Sequence, residues 1–313
     1  MNFQRDVALI PSFEEGNGNT PMNKMLGNKK VVAIFALPTL LYFSLIVVYP
    51  IIQTFIKSFT AWDGISEAQG IGLANYIKLF DDRLFWKSFN NGLIFAAFLF
   101  VLQIGLATLF ALLLLDNKIP FKRFFRTSIF IPVVLSVTVV CQLWSAIYNP
   151  EFGLINKLFE TLGTDFRQSW LSDIHVSLYA IIAVNIWQRV GYQFAIIYAG
   201  AKSVPEELLE AATIDGASKF QTNLHVVIPL LKNTYRMCVV MAITGGFNAF
   251  AHMNLLTKGG PGTATYTLTM MTYRSAYSLG KYGYACTSAV ILVAQCILAT
   301  ILIQFLFRER EQL

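Results

Sequence analysis

The chain has 313 residues, 55% of them hydrophobic and 13% charged, with a mean hydropathy of +0.55. Soluble domains carry about a quarter charged residues, so the composition excludes an ordinary soluble domain and points to a membrane protein. The net charge of +6 and pI near 9.1 do not indicate nucleic acid, because the basic residues are spread through short loops, as cations flanking membrane segments are.

Residues 1–30 are polar, contain Gly16-Asn17-Gly18-Asn19 and show no apolar periodicity; they read as a flexible cytoplasmic tail with no cleavage pattern after the first apolar run. Six apolar segments follow, at about 31–56, 89–115, 124–147, 176–200, 234–256 and 285–307. Each reaches the roughly 20 residues a helix needs to cross the hydrocarbon core. The expected fold is therefore all-α and integral to the membrane, with six transmembrane helices in a domain over 31–307. An even number puts both termini on one side. With the N-terminus inside, fourteen Lys and Arg fall in inside segments against nine outside. The stretch Lys118 to Arg126, with four cations in nine residues, gives the clearest local orientation. Residues 308–313 then form a cytoplasmic C-terminal tail.

The outside segments carry aromatics, Trp62 and Tyr76 to Phe89 in 57–88 and Trp170 in 148–175, which read first as interfacial anchors. Gly259-Gly260-Pro261-Gly262 marks a tight turn after the fifth segment. Cys141, Cys238, Cys286 and Cys296 lie in or beside apolar runs without Cys-x-x-Cys spacing, which predicts inert thiols. His175, His225 and His252 are isolated from other ligand types, so no metal site is expected. No Asp or Glu lies well inside a segment, so paired-carboxylate catalysis and a carboxylate proton relay lack their parts.

The polar content of the segments is concentrated in the fourth. Asn185, Gln188, Arg189 and Tyr192 recur at spacings of three and four, which puts them along one stripe of a helix. With Trp187 nearby, they supply the hydrogen-bonding groups and flat faces a sugar requires. A guanidinium near the centre of a membrane helix costs at least ~2.5 kcal/mol, so Arg189 must face water, carbonyls, a partner subunit or the ligand. Its planar fork suits a carboxylate or phosphate. In the fifth segment Thr244, Gly245, Gly246 and Asn248 form a small-and-polar patch; close packing is its first reading, with Asn248 a candidate cavity residue. Gln103, Gln142 and Gln295 read as interhelical hydrogen-bond partners.

Between the fourth and fifth segments, residues 203–232 carry two Ser-x-x-Glu/Gln sets, at Ser203 to Glu206 and Ser218 to Gln221. These predict two short helices that begin with capping boxes. Asp215-Gly216 is a sound place for a sharp turn, and Pro229 is expected to end the second helix. An ordinary amphipathic hairpin here would turn Leu208, Leu209 and Ala212 inward. Nothing resembling Gly-x-x-x-x-Gly-Lys-Ser/Thr is present, so the chain has no P-loop of its own.

Glu210-Ala211-Ala212, Asp215-Gly216-Ala217 and Ile228-Pro229-Leu230-Leu231 resemble the EAA loop of ABC importer permeases. Leu224 and Asn233 depart from the sugar-permease pattern. Ile131-Pro132 through Trp144, Asn149 to Gly153, Leu256 to Pro261 and Tyr282 to Ala285 resemble the maltose-type, first-permease branch of carbohydrate importers, so the resemblance covers most of 31–307. It implies a cytoplasmic coupling loop in which Glu210, Ala211, Ala212, Asp215 and Gly216 meet an ATPase, and a cavity to which Asn185, Gln188, Arg189, Tyr192 and Asn248 contribute. It further implies a bacterial inner-membrane permease, not an enzyme, that works with a second permease, two ATP-binding subunits holding ATP and Mg, and an extracytoplasmic solute-binding protein. The cargo it implies is an oligosaccharide, acidic if Arg189 binds it. The N-terminal tail is then either free or touches the ATPase. Another small solute such as glycerol phosphate, or an ion-coupled secondary transporter, is the alternative.

Overall fold

The computed structural model describes residues 29–116 and 119–308. Apart from Lys29 and Lys30, the expected N-terminal tail lies outside the described residues, as do Lys118 and, apart from Arg308, the C-terminal tail. The chain divides into two compact units at Thr54. In the first, α1 (Lys29–Phe43) passes through a π turn (Ser44–Val48) into α2 (Tyr49–Lys57), whose last three residues belong to the second unit. From Ala33 to Ile52 all side chains but Ala36 are exposed and most are apolar, a surface suited to lipid, where backbone groups must be satisfied within the helix itself.

The second unit opens with a two-stranded hairpin, β1 (Thr60–Ala61) antiparallel to β2 (Gln69–Gly70). In its turn Asp63 Oδ1 accepts from the Ile65 and Ser66 amides and the Ser66 hydroxyl. Those donors, the Ile65 amide first, hold the carboxyl down at about 2. After α3 (Ala74–Asp81), the Asp82 side chain caps α4 (Arg83–Phe98) by accepting from the Leu84 amide at 2.8 Å. A π turn (Leu99–Gln103) leads into α5 (Ile104–Leu115), giving 33 continuous helical residues from Arg83.

The third apolar segment is not one rod. It splits into α6 (Lys122–Val134) and α7 (Val137–Ile147), bent by 102°. Leu135 and Ser136 take extended dihedrals, and the freed Leu135 carbonyl accepts from Gln188 Nε2 at 3.0 Å. Broken backbone at membrane depth is tolerated where protein supplies such a partner. Then α8 (Leu154–Thr161) leads to α9 (Ser177–Lys202), 26 residues long and the most buried helix of the chain.

After α9 come α10 (Glu206–Ile214), α11 (Lys219–Thr222), a π turn (Asn223–Val227) and α12 (Ile228–Leu230). The fifth segment breaks at Asn248–Phe250, between α13 (Lys232–Phe247) and α14 (Ala251–Leu256). The loop beyond carries positive φ at Gly259 and Gly262 and a cis Gly260–Pro261 bond. At Gly259 any Cβ would strike the Tyr266 ring. The unit closes with α15 (Leu268–Tyr273), a π turn (Arg274–Ser278) and α16 (Tyr282–Leu306).

Among the described residues, four helices are long and apolar enough to cross a membrane, or five if the bent pair counts as one. The remaining expected segment, the fourth, is α9, which has the length of a span but is less apolar because it carries the polar stripe, with protein packed around it. Its cluster joins Ile181, Ile186, Val190, Phe194 and Ile197 of α9 to Phe95, Ala107, Ala111 and Val239 of its neighbours. Gly191 makes this packing close, since a Cβ there would sit 2.2 Å from the Ile129 carbonyl oxygen. Backbone cannot swing aside as a side-chain end can. Gly191→Ala is therefore expected to push α9 off α6 at a cost of about 1–3 kcal/mol, lowering the melting temperature of the detergent-purified protein; an unchanged melting temperature would contradict the close approach.

Candidate functional site

All five expected cavity residues come together. Asn185, Gln188, Arg189 and Tyr192 of α9 and Asn248 at the end of α13 line one cavity of about 800 Å³, with Gln103, Gln193, Thr244 and His252. Among the described residues, its lining contains no Asp or Glu. The stripe divides by role. Asn185 and Gln188 are 5% and 6% exposed and belong to a hydrogen-bonded chain, whereas Arg189 and Tyr192 are exposed. No ion pair among the described residues involves Arg189. Asn248 turns its amide back to the Thr244 carbonyl at 2.9 Å.

His252, whose isolation in the sequence drew attention away from it, is the centre of the buried network. Its ring lies 3.2 Å from Asn185 Nδ2 and 2.8 Å from Gln188 Oε1. The four-residue spacing from Asn248 is the one signal that could have placed it here. Gln103 and Gln193 were not expected as a pair either. Both are buried in the lining, and Gln193 Nε2 donates to the Cys238 carbonyl at 3.1 Å. Of the other amides expected between helices, Gln142 is exposed. Both polar side-chain atoms of Gln295 lack a partner among the described residues.

At the end of α9 the second group of expected residues forms a separate surface. Glu210, Ala211, Asp215 and Gly216 are exposed and Ala212 half-buried along α10 and its turn. Gly216 has φ +80°, so the turn uses the glycine as expected. The Ser218 box forms: its Oγ accepts from the Gln221 amide, and Gln221 Oε1 accepts from the Ser218 amide at 2.8 Å. The Ser203 box does not. Ser203 Oγ donates to the Gly200 carbonyl at 2.7 Å, completing α9, and α10 begins after Pro205 with no side-chain cap. Nor does Pro229 end a helix. The π turn before it loops out one extra residue, so helix continues to Leu230 around the missing amide hydrogen. Leu209 packs on the core as an inward residue, but Leu208 is exposed, and Ile214 and Phe220 stand 85% and 74% exposed.

Residues 103–311 match the family described as binding-protein-dependent transport system inner membrane component. The chain belongs to that family. This permease is 35% identical over 292 residues to the probable ABC transporter permease protein YurN of Bacillus subtilis (strain 168), covering 92% of this chain and 100% of that one. It is also 35% identical over 246 residues to the multiple sugar-binding transport system permease protein MsmF of Streptococcus mutans serotype c, covering 78% and 83%. In fold it is similar to a chain of a bacterial ABC transporter involved in the import of the acidic polysaccharide alginate, at a TM-score of 0.81 and 19% identity, covering 94% of this chain and 100% of that one. The permease is thus a multi-pass membrane component of an ABC importer.

The two serines make a direct comparison. Removing a cap of this kind costs about 1 kcal/mol, so Ser218→Ala in the permease is expected to speed hydrogen exchange of the first amides of α11 by about fivefold. Ser203→Ala should leave the first amides of α10 as they were. Equal protection in both variants would mean that the Ser218 box does not hold the helix start.

Proposed function

We propose that this permease carries an oligosaccharide across the bacterial inner membrane, with an acidic group of the cargo held by Arg189. The observation that carries the reading is Arg189 itself, exposed in a cavity whose lining holds no carboxylate to pair with it. A guanidinium offers a bidentate fork to a carboxylate. Asn185, Gln188, Tyr192 and Asn248 would meet the sugar hydroxyls. A volume of about 800 Å³ falls in the range of small-molecule sites, and the name of the Streptococcus mutans relative supports a sugar.

The rest of the proposed assembly is a second permease, two ATP-binding subunits that bring ATP and Mg, and an extracytoplasmic binding protein that delivers the cargo. The permease would keep both termini and the 203–232 loop in the cytoplasm, with 31–307 as its membrane domain. ATP binding would pull on the segment around Glu210 to Gly216. The pull would then run up α9, whose rise of about 1.5 Å per residue puts Arg189 about 20 Å from Lys202.

Uptake into proteoliposomes holding the complete transporter tests the cargo, with maltotriose, diacetylchitobiose, an alginate trisaccharide and sn-glycerol 3-phosphate as probes. ATP-dependent uptake of an oligosaccharide is expected. Arg189→Gln should raise KM for an acidic one by about 10–100-fold, the range for a lost charged hydrogen bond, and leave KM for a neutral one near wild type. An unchanged KM for the acidic probe would remove Arg189 from recognition, and uptake of glycerol phosphate alone would move the cargo to a small phosphate. For coupling, Glu210→Ala is expected to abolish co-purification with the ATP-binding subunits; uptake driven without any of those subunits would sink the assignment.

A further inference from the structure

A row of touching aromatic rings runs from the cavity to the β1–β2 hairpin. Phe250, at the break between α13 and α14, lines the cavity, and its ring centroid lies 5.0 Å from that of Tyr273, the last residue of α15. The π turn after α15 brings Tyr277 to 5.1 Å from Tyr273. Tyr282, the first residue of α16, follows at 6.0 Å, and Trp62 in the turn of the hairpin at 5.7 Å. The hairpin end is fixed in place. Trp62 Nε1 donates to the Ser66 carbonyl at 2.9 Å, Lys57 Nζ sits 4.6 Å from the centre of the Trp62 ring, and the Gly283 amide donates to the Trp62 carbonyl at 3.1 Å. Gly64, at φ +92°, makes room for Tyr282, since a Cβ there would come within 2.8 Å of its ring. Trp62 itself lines a second cavity, of about 530 Å³, whose walls include Asp63, Glu67 and Lys78. The row therefore joins two polar cavities.

Such a row has two ordinary explanations, core packing and interfacial anchoring. Core packing does not fit, because Tyr273 and Tyr277 are 41% and 70% exposed. Anchoring accounts for aromatics at a membrane surface, but not for rings in unbroken contact that end in a cavity within the fold. The planes of neighbouring rings are inclined by 41–75°, so no two of them lie face to face and cover each other. A pyranose has C–H faces that stack on such rings and hydroxyls at its rim that stay in water. The centroid spacing is close to the length of one sugar ring, so a chain that shifts by one ring regains the contacts it gives up. Several similar, individually weak contacts admit a cargo and still release it. We propose that Phe250, Tyr273, Tyr277, Tyr282 and Trp62 form a stacking track along which the oligosaccharide slides from the hairpin to the cavity. The inference rests on the oligosaccharide reading, with the hairpin on the outer side, and adds the route by which that cargo reaches Arg189.

Tyr277 is the residue to change, because it is the most exposed of the five rings and stands in the middle of the row. First, Tyr277→Cys in the complete transporter, turning over in proteoliposomes with ATP and the binding protein supplied, is treated with a membrane-impermeant maleimide on the binding-protein side. Labelling above the wild-type level is expected. No gain over wild type means that lipid or the second permease covers this position, and overturns the proposal. Second, kcat/KM for uptake of maltotriose, diacetylchitobiose and the alginate trisaccharide is compared between Tyr277→Leu and Tyr277→Phe. Leucine keeps an apolar side chain for packing or lipid but has no ring; phenylalanine keeps the ring. Tyr277→Leu is expected to lower kcat/KM about tenfold for the sugars that are carried, the scale of one lost aromatic contact, while Tyr277→Phe stays near wild type. Equal values in the two variants reduce Tyr277 to packing and also overturn the proposal. If wild type carries none of the three, the cargo reading fails and takes the sugar track with it, whereas an unlabelled Tyr277→Cys in a transporter that does carry them sinks the track alone.

Discussion

The structure depends on burying a polar helix inside a membrane protein. The α9 helix brings Asn185, Gln188, Arg189 and Gln193 to membrane depth, where an unpaired polar group costs several kcal/mol. Lipid cannot satisfy them, so other helices must surround α9, and the most buried helix of the chain is the result. Gln188 and Gln193 are met by the Leu135 and Cys238 carbonyls. The Leu135 carbonyl is freed by the α6–α7 bend, whereas the Cys238 carbonyl lies within the continuous helix α13. At the bend, therefore, the polar stripe and the broken helix belong together: each supplies what the other would lack in hydrocarbon.

The same helix joins the cavity to the far surface. Val190 and Phe194 beside the cavity, Ala201 at the end of α9, and Val227 and Leu231 beyond α11 belong to one apolar cluster. A close-packed interior transmits displacement instead of absorbing it. The 203–232 loop is stiffened where it leaves the core, by the Ser218 box on one side and by Ser203 closing α9 on the other. Lys219 adds a 2.6 Å contact to Asp116 at the end of α5, but both side chains are partly exposed, and such pairs contribute little on their own. The packing carries the connection.

Much of this was legible in the sequence, and what was not has physical causes. Apolar runs locate helices because burial and lipid both select for them, but they cannot tell a lipid-facing helix from one surrounded by protein. That is why α9 looked like its neighbours apart from its stripe. The Asp215-Gly216 turn was readable because positive φ selects glycine so strongly. The two serine boxes looked alike in sequence, yet Ser203 had a competing acceptor one turn back, and local rules do not rank such rivals. Pro229 misled for a similar reason: the rule for prolines assumes an α-helix before them, and a π turn removes the conflict. His252 was missed because its partners lie 64 and 67 residues away, a separation no local pattern encodes.

On the proposed reading, the chemistry of the cavity narrows the cargo further than any one residue does. On that reading a small phosphate would satisfy Arg189 but leave most of a cavity of about 800 Å³ to water. A neutral oligosaccharide would fill the cavity and leave the guanidinium to water. A cargo with several hydroxyls and an acid group would meet both demands at once. Arg189 and the size of the cavity would then act as two separate tests of one ligand: charge admits it, and volume decides whether it fits.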